Sequence, residues 1–74
     1  MRILIDTIPK VREFCKIANG FRHNVDVVSN RYKIDGKSIM GLFSLNLSDP
    51  IEVTVDETED DIAHVLFAKF EVDE

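Results

Sequence analysis

Ile51, Val53 and Val55 alternate strictly with Glu52, Thr54 and Asp56. A strand with this pattern has one apolar face and one wet face. The chain must therefore supply a layer that covers the first face and leaves the second to water. Three further segments are strand-like. Arg2 to Ile5 is short and rich in aliphatic residues, Val25 and Val27 share a face within 25–28, and Tyr32 and Ile34 alternate with charged neighbours within 31–34. The covering layer comes from two helical patterns. Val11, Phe14, Cys15 and Ala18 fall at i, i+3, i+4, i+7, and Ile62, Leu66 and Phe70 give a last helix its core face, overlapped by Ala63, Phe67 and Phe70. With 74 residues there is material for a single domain, 1–74. The element order is βαββαβα. It implies an α+β open-faced sandwich, with a mostly antiparallel four-stranded sheet carrying its helices on one face.

Local signals set the element ends. Asp6-Thr7-Ile8-Pro9 opens the first helix with Thr7 or Ile8 as cap and Pro9 in the first turn, where a missing amide costs nothing. Asn19-Gly20 closes it, with Gly20 expected in the left-handed conformation. Ser29-Asn30 is a tight connection between strands. Thr58-Glu59-Asp60-Asp61 fits a capping box for the last helix. The acidic tail, Glu71 to Glu74, is expected to fray.

Charge and cysteine usage exclude several function classes. A net charge of −5 opposes nucleic acid as the main partner; Lys10, Arg12 and Lys16 are the best candidates for a local basic face. The lone Cys15 rules out an internal disulfide and any multi-cysteine zinc site, and its place on the apolar stripe reads as a buried, inert thiol. No apolar run approaches the ~20 residues of a membrane span, and Asp6 comes too early for a secretion signal. The expectation is a soluble, cytoplasmic monomer without cofactor or bound metal. Glu57, Glu59, Asp60 and Asp61 read as a dipole-matched helix start, since no EF-hand glycine pattern accompanies them. His23 and His64 have neither metal-pair nor dyad spacing.

The most informative stretch is Lys37-Ser38-Ile39-Met40-Gly41-Leu42-Phe43-Ser44-Leu45-Asn46-Leu47, set between the turn signals Asp35-Gly36 and Ser48-Asp49-Pro50. It leaves room for about two helical turns. Ser38 suits the N-cap position. Ile39, Leu42 and Phe43 have helical spacing, with Met40 beside them. A helix this short cannot bury its whole circumference. Some of Ile39, Met40 and Phe43 are therefore expected to remain at the surface as a docking patch bordered by Lys37.

Lys37 to Leu45 resembles, nearly residue for residue, the segment around the regulatory serine of HPr, the histidine-containing phosphocarrier of the bacterial sugar phosphotransferase system. The resemblance implies the same element order, with Leu42 and Leu45 pointing inward and Ile39, Met40 and Phe43 facing out. It also implies Ser38 as a candidate phosphorylation site for the HPr kinase/phosphorylase with ATP. The patch would then meet phosphotransferase-system enzymes or a transcriptional regulator of the catabolite-control type. A phosphate on Ser38 suits a helix start, where free amides and the dipole favour negative charge. The family carries its phosphoryl group on a histidine within Gly-Leu-His-x-Arg-Pro-Ala. Here the chain reads Asp6-Thr7-Ile8-Pro9-Lys10-Val11, and aligning Ala18-Asn19-Gly20-Phe21 with the family's helix end puts Thr7 or its neighbour at the histidine position. Threonine with no base beside it is a poor acceptor. The expected function is a non-catalytic HPr-like regulatory or interaction protein. The alternatives are a phosphocarrier with a non-standard acceptor and a scaffold that keeps only the fold.

Overall fold

The computed structural model describes residues 1–72. Its elements are β1 (Arg2–Ile3), α1 (Ile8–Ala18), β2 (Val25–Ser29), β3 (Tyr32–Asp35), α2 (Ile39–Phe43), β4 (Ile51–Val55) and α3 (Asp60–Leu66). One-turn 3-10 segments at Glu57–Glu59 and Ala68–Phe70 flank α3. The strands form one four-stranded sheet in the order β1-β4-β2-β3. Every pairing is antiparallel, with Ile3 opposite Ile51, Val27 opposite Val53 and opposite Ile34, and Val25 opposite Val55. This is the open-faced α+β sandwich implied by the alternation in β4.

The buried residues follow the periodicities closely on the sheet and on α1. Val25, Val27, Ile51 and Val53 are buried on one sheet face, and Val11, Phe14, Cys15 and Ala18 on one helix face. Four phenylalanines fill the space between them. The Phe67 ring lies 4.7 Å from Phe14 and 5.4 Å from Phe21, nearly parallel to the latter, and Phe14 meets Phe70 edge-on at 6.3 Å. Offset and edge contacts of this kind add to the area that each ring removes from water.

The last helix departs from the expected face. Ala63, Phe67 and Phe70 are buried, whereas Ile62 and Leu66 are exposed. Two overlapping apolar stripes compete here. The stripe that brings Phe67 between Phe14 and Phe21 wins, because it buries the larger side chains. The 3-10 turn after Leu66 then brings Phe70 back into phase with Phe67.

The remaining differences concern ends. The first helix closes without a left-handed residue: no glycine has positive φ among the described residues. The Gly20 and Phe21 amides instead bond the Ile17 and Ala18 carbonyls, and the Asn19 side chain caps Cys15 O at 2.8 Å. Asn30, not a glycine, takes positive φ, at 55°, in the turn between β2 and β3. Gly36 is needed for space. A Cβ there would stand 2.9 Å from Val25 O, and the Gly36 amide bonds that carbonyl at 2.6 Å. β1 is two residues shorter than expected, because Leu4 N–H turns to Phe70 O at 2.8 Å. The tail does not fray at its start. Glu71 bridges Ile3, and Val72 N–H donates to Arg2 O at 3.1 Å, so the tail covers the β1 edge; Asp73 and Glu74 lie outside the described residues.

The winning stripe is testable by urea denaturation. Phe67→Ala should cost about 3–5 kcal/mol. Leu66→Ser should cost under about 1 kcal/mol, because its side chain already meets water. Equal losses would place Leu66 in the core.

Candidate functional site

Ser38 begins α2 in an extended conformation, φ −100° and ψ 109°, and its Oγ accepts the Gly41 N–H at 3.2 Å. The cap expected from the sequence is therefore in place. Its position is set from below. Ser38 N–H donates to Asp35 O at 3.0 Å, and Lys37 N–H to Asp35 Oδ1 at 2.9 Å. From the side, the Lys37 carbonyl accepts Asn19 Nδ2 at 3.1 Å and Cys15 Sγ at 3.5 Å. Lys37 Nζ donates to Phe21 O at 2.8 Å. Lys37 was expected at the rim of the docking patch. Its ammonium is instead committed to the end of α1, and the residue ties α2 to α1. Burial pushes the Cys15 thiol above its ordinary pKa, consistent with a neutral donor rather than a reactive thiolate.

The patch is narrower than the sequence suggested. Met40 is 78 % exposed and Phe43 44 %, while Ile39 is half-buried and packs against the core. Leu42 is buried and Leu45 half-buried, as their inward placement required. Beyond α2, a groove of about 410 Å³ is lined by Tyr32, Ile34, Leu45 and Asn46 among others. Sequence reasoning missed it, because its two sides come from the β2–β3 turn and the end of α2, and no local pattern links them.

The start of α1 presents Thr7 as cap, its Oγ1 accepting Lys10 N–H at 3.3 Å. Asp6 Oδ1 holds Lys10 Nζ at 3.2 Å, and this bond lowers the Asp6 pKa. Of the three candidate basic residues, Lys10 is thus paired within its own helix turn. Neither histidine approaches this end. α1 starts where β4 begins, since Ile3 pairs with Ile51, whereas His23 lies where β4 ends, 4.0 Å from Asp56. His64 is 3.7 Å from Asp60 on α3, five residues before Lys69 of the following 3-10 turn, which reaches Glu13 in the middle of α1.

The acids after β4 do structural work different from a capping box. Thr58 does not cap α3, whose N-cap is Glu59 without a side-chain bond; Asp56 caps the 3-10 turn before it, its carboxylate accepting both the N–H and the hydroxyl of Thr58. Those bonds, the hydroxyl's first, hold Asp56 below its ordinary pKa. Glu59 reaches across to the backbone amides of Arg22 and His23, both at 3.0 Å. These bonds, that of Arg22 foremost, lower its pKa. The amides of the loop before β2 lack ladder partners, so a carboxylate from the next layer satisfies them. Among the described residues, no group of three or more His, Cys, Asp or Glu side chains is gathered to hold a metal ion. No helix there is long and apolar enough to cross a membrane.

A one-sided antiparallel sheet in the order β1-β4-β2-β3, with a capped serine at the start of a short apolar helix after β3, defines a domain of the HPr type. The family model described as "PTS HPr component phosphorylation site" matches residues 10–70. The chain belongs to the HPr family, which relates it to the phosphotransferase system. The fold is similar to that of HPr-C-His from Thermoanaerobacter tengcongensis, with a TM-score of 0.70 and 22% identity over 93% of this chain and 85% of the other. No curated protein sequence matches the chain.

Two measurements check this geometry. The depressed pKa values of Asp56 and Glu59 mean that their bonds stabilise the fold above the ordinary carboxylate range. That stability is lost as pH falls through the lowered folded-state values. The melting temperature should drop between about pH 5 and pH 2, and Glu59→Gln should flatten the upper part of that decline. Asn19→Ala removes one of two donors to the Lys37 carbonyl. It should cost about 1 kcal/mol and speed hydrogen exchange at the Gly41 and Leu42 amides.

Proposed function

We infer that this chain is a non-catalytic, regulatory member of the HPr family that docks protein partners through α2. The observation that carries the reading is the contrast between two helix starts. α1 opens on Thr7, whose hydroxyl is occupied as a cap and has no histidine nearby. α2 keeps a capped serine beside exposed Met40 and Phe43. Phosphoryl transfer through imidazole needs a nucleophile that is also a good leaving group near neutral pH, and a threonine ester is neither labile nor readily formed. An exposed apolar pair on a small acidic domain is most simply explained by a partner that covers it. The partners suggested by the family are phosphotransferase-system enzymes, the HPr kinase/phosphorylase and a transcriptional regulator.

Phosphorylation at Ser38 is the proposed switch. Its hydroxyl is half-buried and already bonds Gly41 N–H, so a phosphate ester there would stay beside that amide. It would add about two negative charges at the edge of the Met40–Phe43 pair.

Three assays separate the readings. The HPr kinase/phosphorylase with ATP should label the chain, and Ser38→Ala should abolish labelling; undiminished labelling would move the site elsewhere. Phosphoenolpyruvate with the first phosphotransferase enzyme should leave no acid-labile phosphoryl adduct, and finding one would restore the carrier function. Met40→Asp should weaken binding to a phosphotransferase-system partner about tenfold or more. Unchanged binding would reduce the chain to a scaffold.

A further inference from the structure

Ile62, Val65 and Leu66 are 48 %, 72 % and 38 % exposed, and they fall at i, i+3, i+4 on α3. Three large apolar side chains together on one helix form a patch rather than scattered surface residues. Two of them hold positions that periodicity alone assigns to the core; the stacking of Phe67 with Phe14 and Phe21 turns them outward. The patch lies between opposite charges. Asp61 precedes it in the first turn of α3, and Lys69 follows it, with Nζ 2.6 Å from Glu13 Oε2. Along α3 and the 3-10 turn that follows it the chain reads acid, three apolar residues, cation.

That order is self-complementary in one orientation only. When a second copy of α3 runs antiparallel, with Val65 near the two-fold axis, each Asp61 comes against the other copy's Lys69 and the apolar residues meet in the middle. The helix dipoles then oppose, and both copies use the same surface, as a two-fold contact requires. A parallel arrangement would set acid against acid. We propose that the chain forms a weak, reversible dimer through an antiparallel contact between its α3 faces. Lys69 can serve both Glu13 and the incoming Asp61, because an ammonium has three donors. An anionic membrane is a poor occupant, since Asp60 and Asp61 border the patch and anionic headgroups, unlike a second copy's Lys69, bring them no cation. The face is one short helix wide, well short of the roughly 1,200 Å² typical of stable complexes, so the chain is monomeric when dilute. Neither Ser38 nor Met40 takes part, so the inference stands apart from the reading of α2.

Sedimentation equilibrium of the full chain from about 10 μM to about 1 mM tests it. The average mass should rise with concentration. Val65→Asp, at an exposed position that leaves the core intact, should raise the dissociation constant about tenfold or more. Asp61→Lys and Lys69→Glu should each weaken self-association, and an equimolar mixture of these two variants should associate more tightly than either alone. A constant monomer mass throughout, a dimer indifferent to Val65→Asp, or a mixture no tighter than its components would each overturn the proposal.

Discussion

The sandwich of Phe67 between Phe14 and Phe21 is the contact on which the arrangement of this molecule depends. It joins α1, the loop after it and the end of α3 in a single apolar layer over the sheet. Once Phe67 is seated, the rotation of α3 is decided. Ala63 and Phe70 turn inward, and Ile62, Val65 and Leu66 turn to solvent. A domain of this size has little surplus stability, so a choice between two apolar stripes goes to the one with the larger rings. The exposed face of α3 is therefore a consequence of the core.

A second constraint governs the serine. The Lys37 carbonyl takes donors from two consecutive turns of α1, Cys15 and Asn19, while its ammonium holds the carbonyl of Phe21. Gly36 lets the backbone pass close enough to Val25 for this to occur. Ser38 is thus placed by a chain of polar contacts running from the first helix, through the turn after β3, to the first amides of α2. The two helix starts differ in this respect. Thr7 bonds Lys10 within its own turn, whereas the Ser38 turn is also tied to α1, to Phe21 after it and to Val25 of β2.

The sequence carried those features whose cause is local. Strict alternation in β4, the i, i+3, i+4, i+7 stripe of α1 and a serine ahead of a short apolar run each follow from one segment's own geometry. What it did not carry depends on a second segment. The capping box expected at Thr58 did not form, because the chain there is a 3-10 turn capped by Asp56, while Glu59 satisfies amides of the loop before β2. Ile39 lost exposure because α2 lies close against the layer beneath it. The tail at Glu71 and Val72 became ordered because the edge of β1 offered unpaired groups. Lys37, a long cation at the rim of an apolar patch, reads as a partner contact until the carbonyl of Phe21 is found beside it.

The two surface features, α2 and α3, are unlike in a way that bears on regulation. In the proposed reading a phosphate on Ser38 falls beside Met40 and Phe43 but has no part in the Asp61–Lys69 order on α3. Charge added to a chain already at −5 disfavours any partner that covers α2 with apolar or acidic groups. It favours one that brings arginine or lysine to the edge, because a phosphate ester accepts paired, charge-assisted bonds from such groups. Lys37 already commits one of its three donors to Phe21 O, so a partner that brings its own cation adds most at that edge. In that reading the same serine would select between classes of partner rather than simply strengthen or weaken binding.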